Sequence, residues 1–330
     1  MALYNIPAHY PFLDTLALGI LKKYQSEKDT LADMKILLPT RRACRNLTNA
    51  FLRMSKGQAL ILPQMLPIGD LDAEELDIMF SGLSKNKNAA LEIPKALSPL
   101  KRNLLLAAQI RKVPQFSGSM TQSVKLAIAL GQLMDQIYNE NLDLKDLHKL
   151  VPEDFATHWQ ITIKFLEIIS LTWPDILKSH NAIDAVDRRN KILLAQSELW
   201  LQSPPKEKII AAGITGTVPT VAHLLKTINK LQNAEIVIPG YDDNLDIESW
   251  NALRESHPQH AFKQLFEKLR LDREQIQTWP HCDESLTSEQ QKNKAILATE
   301  IMRPATTTHK WQELSKSSHS EKLIKILQKF

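Results

Sequence analysis

Apolar positions along this chain follow two rhythms. Near the start, short unbroken apolar runs alternate with helical spacing. Leu3–Ile6 is a short strand candidate, and Phe12, Leu13, Leu16, Ile20 and Leu21 then recur at the spacing of one helix face, predicting a helix from Pro11 to Tyr24. Lys35–Thr40 (KILLPT) is an apolar run ending in Pro-Thr, the pattern of a buried parallel strand. Thr40 is placed to cap a helix over Arg41–Met54. Ala59–Leu66 reads as a third strand, closed by Pro67, Gly69 and Asp70. Strand and helix alternating in this way predict an α/β unit with a parallel sheet.

From about residue 72 to 201 the rhythm changes. Leu97–Lys112, Ser119–Asn139, Phe155–Leu171 and Asp184–Leu201 carry i, i+3, i+4 apolar spacing, punctuated by Pro94, Pro99, Pro114, Pro152 and Pro174. This predicts a helical insertion of several helices over 81–204, with Trp159, Trp173 and Trp200 as core or junction residues. After Pro204-Pro205 the first rhythm returns. Lys208–Ala212 and Ala234–Pro239 read as buried strands, with a helix over Val218–Leu231 opened by Pro219. The glycines agree with this division: of nine in the chain, none lies between Gly131 and Gly213 and none follows Gly240. The expected organisation is one α/β unit from 1–80 and 205–245, the insertion at 81–204, and a mostly helical segment at 246–330.

Composition narrows the function classes. Apolar residues are 43% and charged residues 24%, a folded and soluble balance. No stretch reaches the ~18–20 apolar residues of a spanning helix. The start has no basic region followed by an apolar core, so a signal peptide is not expected. Cys44 and Cys282 are the two cysteines and suggest no disulfide framework. The expected compartment is therefore the cytoplasm, with no membrane contact. The formal net charge is +4, but residues 292–330 hold eight Lys/Arg against three Glu, which fits a solvated tail or a phosphate-facing edge. At the very end Leu323, Ile326, Leu327 and Phe330 predict an amphipathic helix.

The turns after the strands carry the candidate chemistry. A phosphate-binding loop needs glycines to bring backbone N–H groups to the phosphates, a Lys for the terminal ones and Ser/Thr for magnesium. The corresponding turn here, Pro7–Thr15 (PAHYPFLDT), has neither Gly nor Lys, and its two prolines remove donors. Lys208–Ala212 ends in Gly213, where a magnesium-positioning Asp would follow the strand. ATP chemistry is therefore not expected. Thr40, Arg41 and Arg42, with Arg45 one turn on, open a helix at a strand end, where anions are favoured. From the local pattern alone, a capping Thr on a solvated first turn is the favoured reading of the same residues. Gly213-Ile214-Thr215-Gly216-Thr217 is a second strand-to-helix turn, fit for a phosphate or simply for glycine's positive φ. His257, His260, His281 and Cys282 do not have zinc spacing, and Asp242, Asp243, Asp246 and Glu248 read as solvated loop acids, so no metal or other cofactor is expected.

Several segments together resemble the N-terminal part of the AddB family, the B subunit of the AddAB helicase–nuclease, in its proteobacterial form. They are PFLDTLALGIL (Pro11–Leu21), ILLPTRRACRNLTNAFLR (Ile36–Arg53), LPQMLPIGDLD (Leu62–Asp72), LVPEDFATHWQITIKFLEII (Leu150–Ile169), AVDRRNKILL (Ala185–Leu194), AAGITGTVPTVAHLL (Ala211–Leu225), IVIPGYD (Ile236–Asp242) and HPQHAFKQLF (His257–Phe266). The resemblance implies a degenerate RecA-like, helicase-like sheet whose nucleotide site is unused. It also implies double-strand break repair by recombination, with DNA and the motor-bearing A subunit as partners. It places DNA contact at Thr40, Arg41, Arg42, Arg45, Gly213, Thr215, Gly216 and Thr217. The family's second helicase-like domain and its nuclease with an iron–sulfur cluster have no counterpart in these 330 residues, so no catalytic residue carries over. The alternatives are a nucleotide hydrolase with an atypical loop, or a non-functional piece of a split gene.

Overall fold

The computed structural model describes residues 3–24, 28–69, 93–116, 118–142 and 166–314. Along the chain it forms β1 (Leu3–Ile6), α1 (Phe12–Lys23), α2 (Lys28–Asp33), β2 (Lys35–Leu38), α3 (Arg41–Met54) and β3 (Gln64–Pro67). Then come β4 (Lys95–Ala96), α4 (Pro99–Ile110), α5 (Met120–Asn139), a π-helical stretch Ile168–Thr172, α6 (Trp173–Ser179), β5 (Ala182–Ile183) and α7 (Ala185–Gln202). The last part holds β6 (Ile209–Ala212), α8 (Pro219–Ile228), β7 (Ala234–Pro239), α9 (Ile247–Asn251), α10 (His260–Leu269), β8 (Gln277–Thr278), α11 (Glu289–Ile301) and α12 (Trp311–Leu314). The chain divides into two compact units. One comprises Met1–Asp70, Ser203–Thr217 and Leu225–Phe330, and the other Leu71–Gln202 with Val218–Leu224.

The first unit is an α/β structure on a six-stranded sheet of order β3-β2-β6-β7-β1-β8, each pairing parallel. Alternation along the strands sends Ile6, Ile36, Leu38, Ile210, Ala212 and Val237 into one core with α1 and α3. The intervening Leu3, Leu37, Ile209, Ala211, Ile236 and Ile238 are buried as well, as a parallel sheet covered on both faces requires. Glu235 interrupts this apolar set at 5% exposure, paired with Lys23 at 2.6 Å and Lys208 at 2.8 Å. Burial pushes its pKa up, but the two ammonium groups outweigh that and hold it below the usual carboxylate value.

Two side chains fix the middle and one edge of the sheet. Buried Asn5 donates from Nδ2 to the Tyr241 carbonyl at 2.8 Å and accepts the Tyr241 N–H on Oδ1 at 3.0 Å, so β1 holds the exit of β7 by both ends of one amide. Trp279, just past β8, lies edge-on to Tyr4 and presses against Gly19 of α1. A Cβ at Gly19 would stand 2.1 Å from Trp279 Nε1, so the close approach of helix and indole requires glycine there.

The second unit packs α4 against α5 around Leu106, Ile110, Leu130, Met134 and Trp173. Fully buried Asp184 gathers Arg102 Nε at 2.7 Å, Trp173 Nε1 at 2.7 Å and Tyr138 Oη at 3.0 Å. Burial first, and then the Asp184 charge, hold the Tyr138 phenol far above its usual pKa. Trp173 and Trp200 are both core residues.

The structure differs from the sequence expectation in places. The third strand starts at Gln64 instead of Ala59, because the Gln64 N–H bonds the Met34 carbonyl just before β2, at 2.9 Å, and Pro63 before it has no N–H. β8 is a two-residue edge strand of exposed Gln277 and Thr278 within the segment expected to be mostly helical. β4 and β5 form a two-stranded parallel sheet in a region read as wholly helical. Trp159, residues 155–165 of the expected helix and the amphipathic segment 315–330 lie outside the described residues.

Two outcomes follow from this packing. Gly19→Ala should lower stability by about 1–3 kcal/mol in a urea titration, since the buried indole has to shift to admit the methyl group. Asp246 is held well below the usual carboxylate range: burial opposes this, but bonds from Lys310, Ser249 and Arg303 outweigh it. A depressed folded-state pKa stabilises above the unfolded value and loses that effect as pH falls through the folded one. Asp246→Asn should therefore destabilise at pH 6, and its gap from the parent should close as pH drops below about 4.

Candidate nucleic-acid interface

Parallel strands send all their outgoing loops to one edge of the sheet. From β1 and β2 the chain moves toward the β3 edge, and from β6 and β7 toward the β8 edge. Outgoing connections therefore take opposite directions at two adjacent pairs, β2/β6 and β7/β1. Such reversals open crevices beyond the carboxyl ends of strands, where ligands of open α/β sheets bind.

At the first reversal, Pro39 follows β2 and Thr40 precedes α3. Thr40 is extended (φ −142°, ψ 159°), and its Oγ1 accepts the Ala43 N–H at 3.1 Å, so it is the N-cap. α3 buries Leu47, Ala50 and Phe51 and exposes Arg42, Arg45, Asn46, Asn49 and Arg53. Its charged residues are four arginines and no acid. Arg53 pairs with Asp14 of α1. Arg42 and Arg45 make no hydrogen bond or ion pair among the described residues. The helix thus presents its positive N-terminal dipole end, with Arg41 also exposed beside it, to solvent.

β6 runs beside β2, with Leu37 opposite Ala211, so the Gly213–Thr217 turn leaves from the neighbouring strand end. Gly213 has φ +72°, and a Cβ there would lie 3.4 Å from the Phe12 ring and 3.8 Å from Pro39 Cδ. Gly216 is buried with φ +63°. Thr215 is half-buried and Thr217 exposed, and neither hydroxyl makes a hydrogen bond among the described residues. Lys268 of α10 reaches the Gly216 carbonyl at 3.4 Å, adding a cation to the turn. The fold thus brings the two sequence-distant candidates, 40–45 and 213–217, to one edge. Lys268, Asn46 and Asn49 were not singled out in the sequence. The two asparagines could have been found by placing α3 on a helical wheel, whereas Lys268 is positioned only by tertiary packing.

The second reversal has different chemistry. Residues 7–10 form a tight turn, the Tyr10 N–H bonding the Pro7 carbonyl at 3.0 Å. Tyr10 is buried, and that burial, together with the hydrogen bond its hydroxyl donates to Glu284 at 3.0 Å, pushes the phenol up to about 12. The exit of β7 carries Asp242 and Asp243, while Asp14 in the first turn of α1 is paired with Arg53. A phosphate chain here would meet carboxylates and find no lysine or glycine cradle.

Of the remaining polar candidates, His257 and Asp246 are held by structural partners. His257 accepts the Gln259 N–H on Nδ1 at 3.1 Å, so Nε2 carries the proton and donates to the Met302 carbonyl at 2.8 Å. Asp246 caps α9, accepting the Ser249 N–H at 3.0 Å, and holds Lys310 at 2.6 Å. Cys282 is half-buried, and that burial raises its thiol to about 11. Among the described residues no three His, Cys, Asp or Glu side chains gather into a metal site, and no helix is long and apolar enough to cross a membrane. No family model matches the chain, and no curated protein matches it.

The acidic, glycine-free exit of β1 gives a direct expectation. Equilibrium dialysis with labelled ATP and magnesium should show no saturable binding up to about 1 mM, a concentration at which even weak nucleotide sites fill. Stoichiometric micromolar binding would contradict it.

Proposed function

We propose that this chain is a non-catalytic DNA-repair subunit of the AddB type, or its N-terminal part, which binds the DNA backbone and the motor-bearing A subunit in the cytoplasm. On this reading the six-stranded sheet is a degenerate RecA-like core and the region 81–204 its large helical insertion. The single observation that carries the proposal is the convergence of the Thr40–Arg45 helix start and the Gly213–Thr217 turn at one strand-end crevice. These are the two segments at which the sequence resemblance places DNA contact.

The physical chemistry of that edge suits a phosphate backbone. Arginine guanidinium groups and a helix N-terminus attract phosphates, amides such as Asn46 and Asn49 donate to phosphate oxygens, and a Gly-Thr turn lets a sugar–phosphate chain approach closely. None of these groups selects a base edge, so the expected binding is electrostatic and sequence-tolerant. The nucleotide-hydrolase alternative lacks a phosphate cradle at β1 and faces carboxylates at β7.

Fluorescence anisotropy with a labelled oligonucleotide tests the proposal. Arg41→Ala/Arg42→Ala/Arg45→Ala should weaken binding at least about tenfold at low salt and reduce the slope of log affinity against log salt by about 2, each lost phosphate contact contributing roughly 0.7–0.9. Affinity and slope equal to those of the parent chain would refute the interface.

A further inference from the structure

In the second unit, the outer face of α4 leaves apolar side chains in solvent. Leu106, Ala107 and Ile110 face inward. On the opposite side Leu100, Leu104 and Ala108 stand one above the other, with Leu100 70% and Leu104 49% exposed. Met120 continues this strip at the far end of the helix: it is 55% exposed, and Arg111 reaches its Sδ at 3.9 Å. The rim of the face is cationic. Residues 99–113 contain Lys101, Arg102, Arg111 and Lys112 and no acid. Arg102 turns inward to Asp184 at 2.7 Å and Asp135 at 2.9 Å. Lys101, Arg111 and Lys112 are exposed and make no ion pair among the described residues.

The chain itself carries the complementary pattern, in a segment of the same unit. Residues 71–83 (LDAEELDIMFSGL) lie outside the described residues, and their sequence places Leu76, Met79, Phe80 and Leu83 at i, i+3, i+4 and i+7. On a helix Glu75 and Asp77 flank that stripe on its two sides, Asp72 and Glu74 fall in the first turn, and the segment has no Lys or Arg. As one helix it would be about 20 Å long, against about 18 Å for α4. Residues 84–92, which join it to β4 and α4, can span up to about 30 Å, enough for it to fold back along the whole of α4. A lone helix of that length is marginal in water, so its apolar stripe needs a surface to cover it.

We propose that residues 71–83 dock as an amphipathic helix on the outer face of α4, setting their apolar stripe against Leu100, Leu104 and Ala108 and their carboxylates beside Lys101 and Arg111. Apolar burial has no direction and would accept any amphipathic helix. The rim makes the choice: a basic segment such as 315–330 would meet like charge, and an acidic one meets opposite charge along both flanks. The proposal is independent of the DNA-binding reading, since none of its residues belongs to the β2/β6 edge.

Hydrogen exchange of the full chain, read by mass spectrometry, tests it. The amides of Leu76–Leu83 should exchange at least about tenfold slower than in the isolated peptide of residues 71–83, as those of a packed local unit do. Leu104→Asp places a carboxylate at an exposed position and leaves the inner packing of α4 alone. It should return the segment to the rate of the peptide while Leu130 and Met134 of α5, both buried, keep theirs. Lys101→Glu/Arg111→Glu should lower the protection roughly two- to fivefold, the scale of exposed ion pairs. Adding Glu75→Lys/Asp77→Lys should restore it, which a general loss of stability would not do. Peptide-like exchange in the parent chain, protection that survives Leu104→Asp, or a charge swap that restores nothing would overturn the proposal. Protection that falls when the parent is diluted would overturn it in favour of a second copy covering the face.

Discussion

Backbone hydrogen bonding in short parallel strands is the constraint on which this structure depends. β1, β2, β3 and β6 are each four residues long, and alone each would bury peptide groups without partners. The strands from the start of the chain leave a gap that only β6 and β7 fill: β2 bonds β6, and β1 bonds β7. The sheet therefore cannot close until the segment after residue 203 returns to the one before residue 70. Asn5 reinforces the closure, because its amide serves the Tyr241 N–H and carbonyl just where the β7 ladder ends.

That pairing also decides where chemistry can collect. Since each ladder is parallel, the loops after β1, β2, β6 and β7 emerge on one edge, and the order β3-β2-β6-β7-β1-β8 places two crevices along it. The edge is divided electrostatically. Around β2 and β6 stand Arg41, Arg42, Arg45 and Lys268, while the exit of β7 carries Asp242 and Asp243. On the proposed reading, a polyanion is favoured at the first crevice over the second, although both have the same topology. The absence of glycine and lysine after β1 and the acids after β7 both disfavour phosphate binding there.

The local chemistry of these elements was legible from residue types alone. KILLPT is a strand followed by a cap because a continuous apolar run suits a sheet buried on both faces and Thr40 offers an oxygen to the third N–H of a helix. Gly213 and Gly216 take positive φ, as a turn of that composition predicts. The 3.6-residue rhythm likewise marked α4, α5 and α7, since a one-sided apolar stripe is set by the sequence itself.

Other features depended on contacts between distant residues. β8 carries no apolar signal, for Gln277 and Thr278 are exposed; it is a strand because Trp279 beside it seats against Gly19 and its backbone meets β1. The proximity of Pro39 to Gly213, the reach of Lys268 to Gly216, and the pocket beside Asp242 are in the same class. Hydrophobic period and turn chemistry act over a few residues, so the sequence determined which segments are strands, helices and caps. Strand order results from competition among all possible pairings for the same backbone groups, so only the tertiary structure decided which strand ends meet and hence which charged side chains share a crevice.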